Sequence, residues 1–302
     1  MKRSRSSEEN TKMAPKQKQQ EIPITIAMSS EILFKKEESS SSMSPGPAFS
    51  FVKALKAVNA RLTNLRPESQ ELFQVKLICD KSTDLSDQFI TTHDLKDIIT
   101  SMTVSEEHLI EKLQENKTIL YLSAPPGTRV PEVMKGGVAA AVMLTPENTM
   151  EVPETPLRVV FDGDAVIFSD ESELVYQKKQ LKGFLDNERE KVNEPLPKGP
   201  FKDFLEALGR LQKKFKEKEK FKEKDCPIRT YLVTSRNAGN AGYRALNTLK
   251  TWGLEIDEAY FLNGSPKGPL LKLIGPHIFF DDQMRHVQTV MNEGVVACHV
   301  KY

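Results

Sequence analysis

The sequence predicts an α/β protein built on parallel sheets. Three observations predict it: short apolar, β-rich runs recur along the chain, stretches of helical spacing separate them, and several of the runs end in polar or acidic residues. Strands of a parallel sheet are buried on both faces and so read as near-continuous apolar runs, as these do.

Residues 1–20 are almost wholly polar and charged and have no hydrophobic period to offset the entropy of ordering, so a disordered tail is expected there. Ile24 to Met28 is the first strand-like run. Lys35 to Pro47 (KKEESSSSMSPGP) is Ser-rich and bounded by proline, hence a loop. Phe51, Leu55, Val58 and Leu62 fall at helical spacing, and Phe73 to Cys79 returns to a β pattern. A polar stretch holding a helix follows. Thr118 to Leu122 is again strand-like, Pro125-Pro126-Gly127 is a turn, and a further helix feeds the apolar run Val138 to Leu144.

Pro153 and Pro156 mark the join to a second half, which opens with the strand Leu157 to Phe161 (LRVVF). A charged insertion, residues 169–200, precedes a helix at residues 201–215 whose Phe204, Leu205, Leu208 and Leu211 form an apolar stripe. Lys213 to Lys224 alternates Lys with Glu; the glutamates cancel much of its field, so it reads as a solvated helix end. Strands at Thr230 to Val233 and Ile278 to Phe280 enclose a helix from Ala241 to Trp252 that Gly253 stops.

The chain of 302 residues has room for about two domains, residues 21–150 and 151–302. The halves also resemble each other: ITIAMSSEILF parallels VVFDGDAVIF, GPAFSFVKAL parallels GPFKDFLEAL, and VMKGGVAA parallels VMNEGVVA, in the same order. An internal duplication is the expectation. Met28 and Ser30 then stand where the second half has Asp162 and Asp164, and Leu122 and Ser123 where it has Asp281 and Asp282. Only the second half keeps the acids.

Composition excludes broad classes. Lys plus Arg number 43 against 42 Asp plus Glu, so no global field selects nucleic acid or an anionic membrane. The longest apolar stretch, Val138 to Leu144, is far short of the ~20 residues that span a bilayer. Cys79, Cys226 and Cys298 are too few and too scattered for a disulfide framework or a zinc cluster. The first twenty residues lack the apolar core of a secretory signal, and a cytoplasmic protein is expected. A homo-oligomer is left open.

The chemistry concentrates after three apolar runs. Asp162 and Asp164 follow the first, Thr234 and Ser235 the second, and Asp281 and Asp282 the third. Ligands collect at the carboxyl ends of parallel strands, so these groups would converge on one site. Four carboxylates gathered there would repel one another unless a cation sat among them, and Mg²⁺, a hard ion that takes carboxylate oxygens and often shares a phosphate, is the natural candidate. His277 and His286 bracket the last pair, but no two histidines have metal-ligand spacing on one element, so structural roles are expected for them.

The DxD after the first strand, Thr234 after the second, Lys267 in a Ser-Pro-Lys-Gly-Pro loop and the final Asp pair resemble the four-part pattern of the haloacid dehalogenase-like phosphotransferases. The segments FDGDAVIFSDESE, GPFKDFLEALGRLQKKF, CPIRTYLVTSR, LKTWGLEIDEA, PKGPLL and PHIFFDDQM resemble more closely the cytosolic 5′-nucleotidase I family, densely over residues 157–302. SPGPAFSFVKALKAVNARL and LYLSA extend the resemblance upstream, whereas residues 80–116 fit that pattern poorly.

The resemblance implies a haloacid dehalogenase-like Rossmannoid sheet with a small cap insertion, about residues 169–200, beside an N-terminal α/β domain that is a degenerate copy. It implies a Mg²⁺-dependent hydrolase of nucleoside 5′-monophosphates, AMP preferred. Asp162 would be the nucleophile, Asp164 the acid and base, Thr234 a phosphate hydrogen-bond donor and Lys267 the charge-balancing cation. Mg²⁺ would be held by the Asp162 carboxylate, the Asp164 backbone carbonyl and the last Asp pair, with Asp282 direct and Asp281 through water. Ser235, Arg236 and Asn237 are candidates for substrate binding, and Tyr176, Phe184 and Arg189 of the insertion for contact with the base. Two other readings stay open: a phosphatase of a different phosphomonoester, and a non-catalytic nucleotide-sensing or interaction protein.

Overall fold

A computed structural model describes residues 21–36, 42–79, 84–217 and 225–301. The expected disordered tail lies outside the described residues, as do parts of the Ser-rich loop and of the Lys/Glu stretch. The first half runs β1 (Ile24–Ser29), α1 (Ser30–Leu33), the antiparallel pair β2 (Phe34–Lys36) and β3 (Met43–Pro45), then α2 (Phe49–Leu65), β4 (Phe73–Cys79) and α3 (Asp84–Thr92). It continues through β5 (Ile99–Thr103), α4 (Leu109–Glu115), β6 (Thr118–Ser123), α5 (Val130–Lys135) and β7 (Ala139–Leu144). The second half runs β8 (Leu157–Phe161), α6 (Glu171–Glu190), α7 (Lys202–Lys216), β9 (Ile228–Thr234) and α8 (Asn240–Thr251). It ends with β10 (Glu258–Phe261), α9 (Gly268–Ile274), β11 (Ile278–Asp281), α10 (Met284–Met291) and β12 (Ala297–His299).

Ten of these strands form one sheet in the order β10-β9-β8-β11-β12-β7-β6-β1-β4-β5. Neighbours are parallel except β12 with β7, where the two halves meet antiparallel. Each half follows one scheme: its first strand is central, the second and third lie to one side, and the fourth and fifth to the other. Local hydrogen bonds repeat as well. Gly46 and Ala48 donate their N–H groups to the carbonyls of Leu33 and Ile32 (both 2.8 Å), and Gly199 and Phe201 donate theirs to Ile167 and Val166 (2.8 and 3.0 Å). Gly137 and Gly294, with φ of 86° and 81°, each donate to a methionine carbonyl three residues back, Met134 and Met291, at 2.9 Å. In the parallel sequence segments these residues stand opposite one another.

The core does not stop at the join. Helix α2 packs on β4 and reaches across to β8, while α7 packs on β9 and reaches across to β6. One apolar cluster therefore holds Phe51 and Leu55 together with Phe161, Phe204 and Phe280. Phe161 stacks on Phe280 at 5.6 Å, and Phe201 and Phe204 approach Phe280 at 4.6 and 6.2 Å. Fully burying each such ring stabilises the fold by roughly 1.5–3 kcal/mol.

Strands β5, β10 and β12 are not announced by the sequence. The first two are the sheet's edges, short and carrying polar or half-exposed residues, and β12 is three residues long. Edge strands are kept short and mixed in character, which removes the apolar signature of a central strand. The insertion after β8 is also more regular than expected: α6 spans 20 residues, with one break at Gln180 (φ 57°, ψ −169°). Among the described residues no helix is long and apolar enough to cross a membrane.

Candidate active site

β8 and β11 are the adjacent central strands from which the second half's order runs outward in opposite directions, so a crevice opens at their carboxyl ends. Asp162 leaves β8 there, its N–H donated to the Phe280 carbonyl at 2.8 Å. The chain then turns tightly: Ala165 takes a left-handed conformation (φ 59°) and the Phe168 N–H returns to the Gly163 carbonyl at 2.9 Å. At Gly163 a Cβ would lie 3.4 Å from Thr234 Oγ1 and 3.5 Å from the Phe168 ring, in ordinary contact with both.

Lys267 arrives from the loop before α9 and is almost wholly buried. Its ammonium lies 2.7 Å from Asp162 Oδ1 and 2.7 Å from Asp281 Oδ2. Asp281 also accepts the Gln283 N–H at 2.8 Å and faces His286 Nδ1 at 3.2 Å. Asp282 differs from its neighbour, because its Oδ1 is buried with no hydrogen-bond partner. One oxygen from each of Asp162, Asp281 and Asp282 lies within 4.8 Å of the others, a donor set that could hold a metal ion.

The electrostatics follow from burial. Desolvation pushes Asp162 up to about 6, against the pull of Lys267 and with the push of Asp281. Asp282, buried beside the charges of Asp162 and Asp281, is pushed up to about 9. Burial also works to raise Asp281, but the Lys267 ammonium and His286 outweigh it and hold that carboxyl low. Burial opposes the charge on Lys267, and Asp162 and Asp281 more than restore it. One ammonium thus stands among three carboxylates. All-oxygen anionic donors packed this closely suit a hard divalent cation, which would relieve the repulsion that raises Asp162 and Asp282.

Above this floor lies a cavity of about 610 Å³, walled by Tyr176, Leu181 and Phe184 of α6 and by the loop from Asn263 to Lys267. Of the residues read from the sequence, Asp162, Asp164, Thr234, Ser235, Arg236 and Lys267 line it. Tyr176 and Phe184 face it as an edge-to-face pair with centroids 6.5 Å apart. Arg189 is not brought to it, and instead pairs with Asp186 on the exposed side of α6. Asn237 is not brought to it either: its Oδ1 accepts the Gly239 N–H at 3.0 Å, fixing the turn into α8, and it borders a separate depression.

Arg236 lines the cavity wall, yet all five of its N–H donors are already bonded within the protein. Nε and Nη2 grip Asp164 Oδ2 and Oδ1 at 2.9 and 2.7 Å, Nη1 donates to Glu188 Oε2 (2.6 Å) and to the Ala241 carbonyl (3.0 Å), and Nη2 also reaches Ser172 Oγ (2.9 Å). No donor is left for a substrate in this arrangement. Both oxygens of the Asp164 carboxylate are bonded to Arg236, and it is not among the three carboxylates that could hold a metal ion. Glu188, Ser172 and Arg244, which complete the network, were missed by sequence reasoning. Only Arg244 left a signal, a charged residue on the helix face of Ala241, Ala245 and Thr248, where it is buried only when paired.

A family model described as 5′-nucleotidase matches residues 16–302. The chain is 44% identical over 259 residues to cytosolic 5′-nucleotidase 1B of Homo sapiens, a match covering 85% of this chain and 42% of that protein. The chain therefore spans less than half the length of this relative. No solved structure matches it. A family match that runs unbroken from the first strand through every group assembled at the crevice leaves one assignment: the chain belongs to the 5′-nucleotidase family.

Proposed function

We propose that this protein is a Mg²⁺-dependent cytoplasmic 5′-nucleotidase that hydrolyses nucleoside 5′-monophosphates, AMP preferred, through an aspartyl-phosphate on Asp162. The carrying observation is the meeting of Asp162 and Lys267, which line a cavity roofed by Tyr176 and Phe184, with the Asp281–Asp282 pair packed against them. Such a floor suits a phosphate dianion, and such a roof suits a flat base.

In the first step an Asp162 oxygen bonds to phosphorus as the P–O5′ bond breaks. The electron pair leaves with O5′, and a proton from Asp164 completes the nucleoside. Water then attacks the aspartyl-phosphate and gives its proton to the Asp164 carboxylate. The P–O bond to Asp162 breaks, the pair returns to that carboxylate, and phosphate departs. Thr234 donates to a phosphoryl oxygen, helped by Ser235, and Lys267 balances charge on nucleophile and phosphate. Asp162, Asp282 and the Asp164 carbonyl would hold Mg²⁺, with Asp281 through water. Bound there, the ion supplies the positive charge that lets an anionic nucleophile meet an anionic phosphate.

The same reading takes the first half, residues 21–150, as a degenerate copy of the second, residues 151–302, a haloacid dehalogenase-like unit with α6 as its cap. The repeated strand order and the matching Gly46 and Gly199 hydrogen bonds support it. The copy supports the sheet and does no chemistry, since Met28 and Ser30 replace the acids.

Phosphate release tests the function directly. Purified protein with Mg²⁺ and AMP is expected to release phosphate, and Asp162→Asn is not. No release above that variant would defeat the enzymatic reading, and equal turnover of AMP and glucose phosphates would defeat the AMP preference.

A further inference from the structure

The network around Arg236 reaches well beyond the crevice. Charges alternate along it: Asp164, Arg236, Glu188, Arg244, Glu171 and Lys191, with contacts of 2.7, 2.6, 2.9, 3.3 and 3.0 Å. Its centre is dry, because the side chains of Arg236 and Arg244 are 1% exposed and that of Glu188 is not exposed at all. Its six members come from four parts of the second half. Asp164 sits in the turn after β8, Arg236 follows β9, Arg244 belongs to α8, and Glu171 and Glu188 stand near the two ends of α6.

Glu188 is the hub. Its Oε2 accepts from Arg236, and its Oε1 accepts from Arg244 Nη1 (2.9 Å), Ser172 Oγ (2.8 Å) and Asn187 Nδ2 (3.2 Å). The Arg236 guanidinium is therefore fixed from one side by the cap helix and presents its other edge, a two-pronged fork, to Asp164. One helical turn before Glu188, Phe184 stands under the same guanidinium with its ring centre 5.5 Å away. The break at Gln180 separates the helical piece carrying Phe184 and Glu188 from the piece carrying Glu171. Phe184 and the hub thus share one helical piece, while Tyr176, the other cavity-facing aromatic, lies on the piece before the break.

We propose that Glu188, acting through Arg236, is the positioning residue that sets where the Asp164 carboxylate points, so that the cap and the acid–base group move as one unit. The inference rests on the reading of Asp164 given above and adds its control. A substrate seated against Phe184 fixes the later piece of α6, and Glu188 passes that placement to Arg236 and so to Asp164. Glu188 also offsets the Arg236 charge, so Asp164 does not face an uncompensated cation. Catalysis is then tied to an occupied cap, which discriminates a nucleotide from a bare phosphate by more than contact with the base.

The leaving group separates this role from a merely structural one. A nucleoside departs as an alkoxide and needs a proton at O5′, whereas p-nitrophenolate departs without one. With Mg²⁺ present, Glu188→Gln is expected to slow phosphoenzyme formation from AMP about 10- to 100-fold, while the p-nitrophenol burst from p-nitrophenyl phosphate slows less than about 3-fold, as loss of general acid catalysis requires. Ser172→Ala, a milder change at the same junction, is expected to give the same pattern at smaller amplitude, and carries the comparison if Glu188→Gln unfolds. Equal losses on both substrates in a variant with a wild-type unfolding midpoint would overturn the proposal, as would no loss on either. Wild-type protein that releases no phosphate from AMP would instead remove the nucleotidase reading, and this inference with it, before any variant is compared.

Discussion

The Lys267 ammonium lies 2.7 Å from Asp162 Oδ1 in a site where the lysine side chain is 1% exposed and the aspartate 7%. The same ammonium serves Asp281 at an equal distance, so a single cation answers two buried anions. Lys267→Met would leave Asp162 without its cation and Asp281 with only His286 and the Gln283 N–H. Removing one partner of a buried pair costs about 3–5 kcal/mol, and that loss is expected in denaturant titrations together with loss of phosphate release. A variant that kept the wild-type midpoint would mean that the floor of the site relaxes or admits water.

The metal prediction follows from the buried, unpartnered Oδ1 of Asp282. Mg²⁺ at a hundredfold excess over its dissociation constant stabilises the folded state by about 2.7 kcal/mol. Thermal unfolding with Mg²⁺ or with a chelator should show that increment in the wild type and little of it in Asp282→Asn. Without metal the variant is expected to be no less stable than the wild type, because burial and the neighbouring carboxylates already push Asp282 up to about 9. An undiminished Mg²⁺ shift in the variant would remove Asp282 from the ligand set.

How much of this was legible in the sequence depended on the range of the interaction. Strand β8 and the acids after it form one local pattern, and so do β9 with Thr234 and β11 with Asp281, because an apolar run and the residues that follow it share one backbone direction. Asn237 looked like a site residue on position alone, and its side chain went to the nearest free N–H, that of Gly239. Arg236 lines the cavity as its position suggests, but its donors are taken by partners far along the chain, Asp164 at 72 positions and Glu188 at 48. No local period encodes a contact of that kind. Glu188 is the extreme case: in sequence it is one more acid on a charged helix, and only the packing of α6 against α8 buries it.

His277 supplies a pH prediction away from the carboxylate floor. It is buried immediately before β11, accepts the Arg158 N–H through Nδ1 at 3.0 Å, and is held down to about 4 mainly by desolvation. In the unfolded chain its pKa returns to about 6.5, so the unfolded state binds the proton first. The stabilisation is complete above about pH 6.5 and is lost as pH falls towards 4, a total on the order of 3 kcal/mol. Denaturant midpoints measured across that window should fall with acidification in the wild type and flatten in His277→Gln, which cannot take up the proton. An equal slope in both proteins would assign the acid sensitivity to other groups.

Gly46 and Gly199 occupy corresponding places in the two halves, and their substitution should separate stability from catalysis. A Cβ at Gly46 would meet the Ile32 carbonyl oxygen at 2.4 Å, and one at Gly199 would meet the Phe168 and Val166 oxygens at 2.2 and 2.5 Å. The obstacles are backbone atoms, which cannot step aside as a flexible side chain would. Each alanine variant is therefore expected to lose about 1–3 kcal/mol, the usual cost of overpacking. The sites differ in what a shift of the obstructing backbone would disturb. Beside Gly199 it moves the turn that carries Asp164 and Ala165, whereas beside Gly46 it moves the segment Ser30–Leu33, where Ser30 stands in the place of Asp164. Gly199→Ala should consequently lower kcat in its folded fraction, and Gly46→Ala should lower the unfolding midpoint with kcat unchanged. A loss of kcat in Gly46→Ala as large as in Gly199→Ala would show that the first half takes part in the chemistry, contrary to the supporting role given to it above.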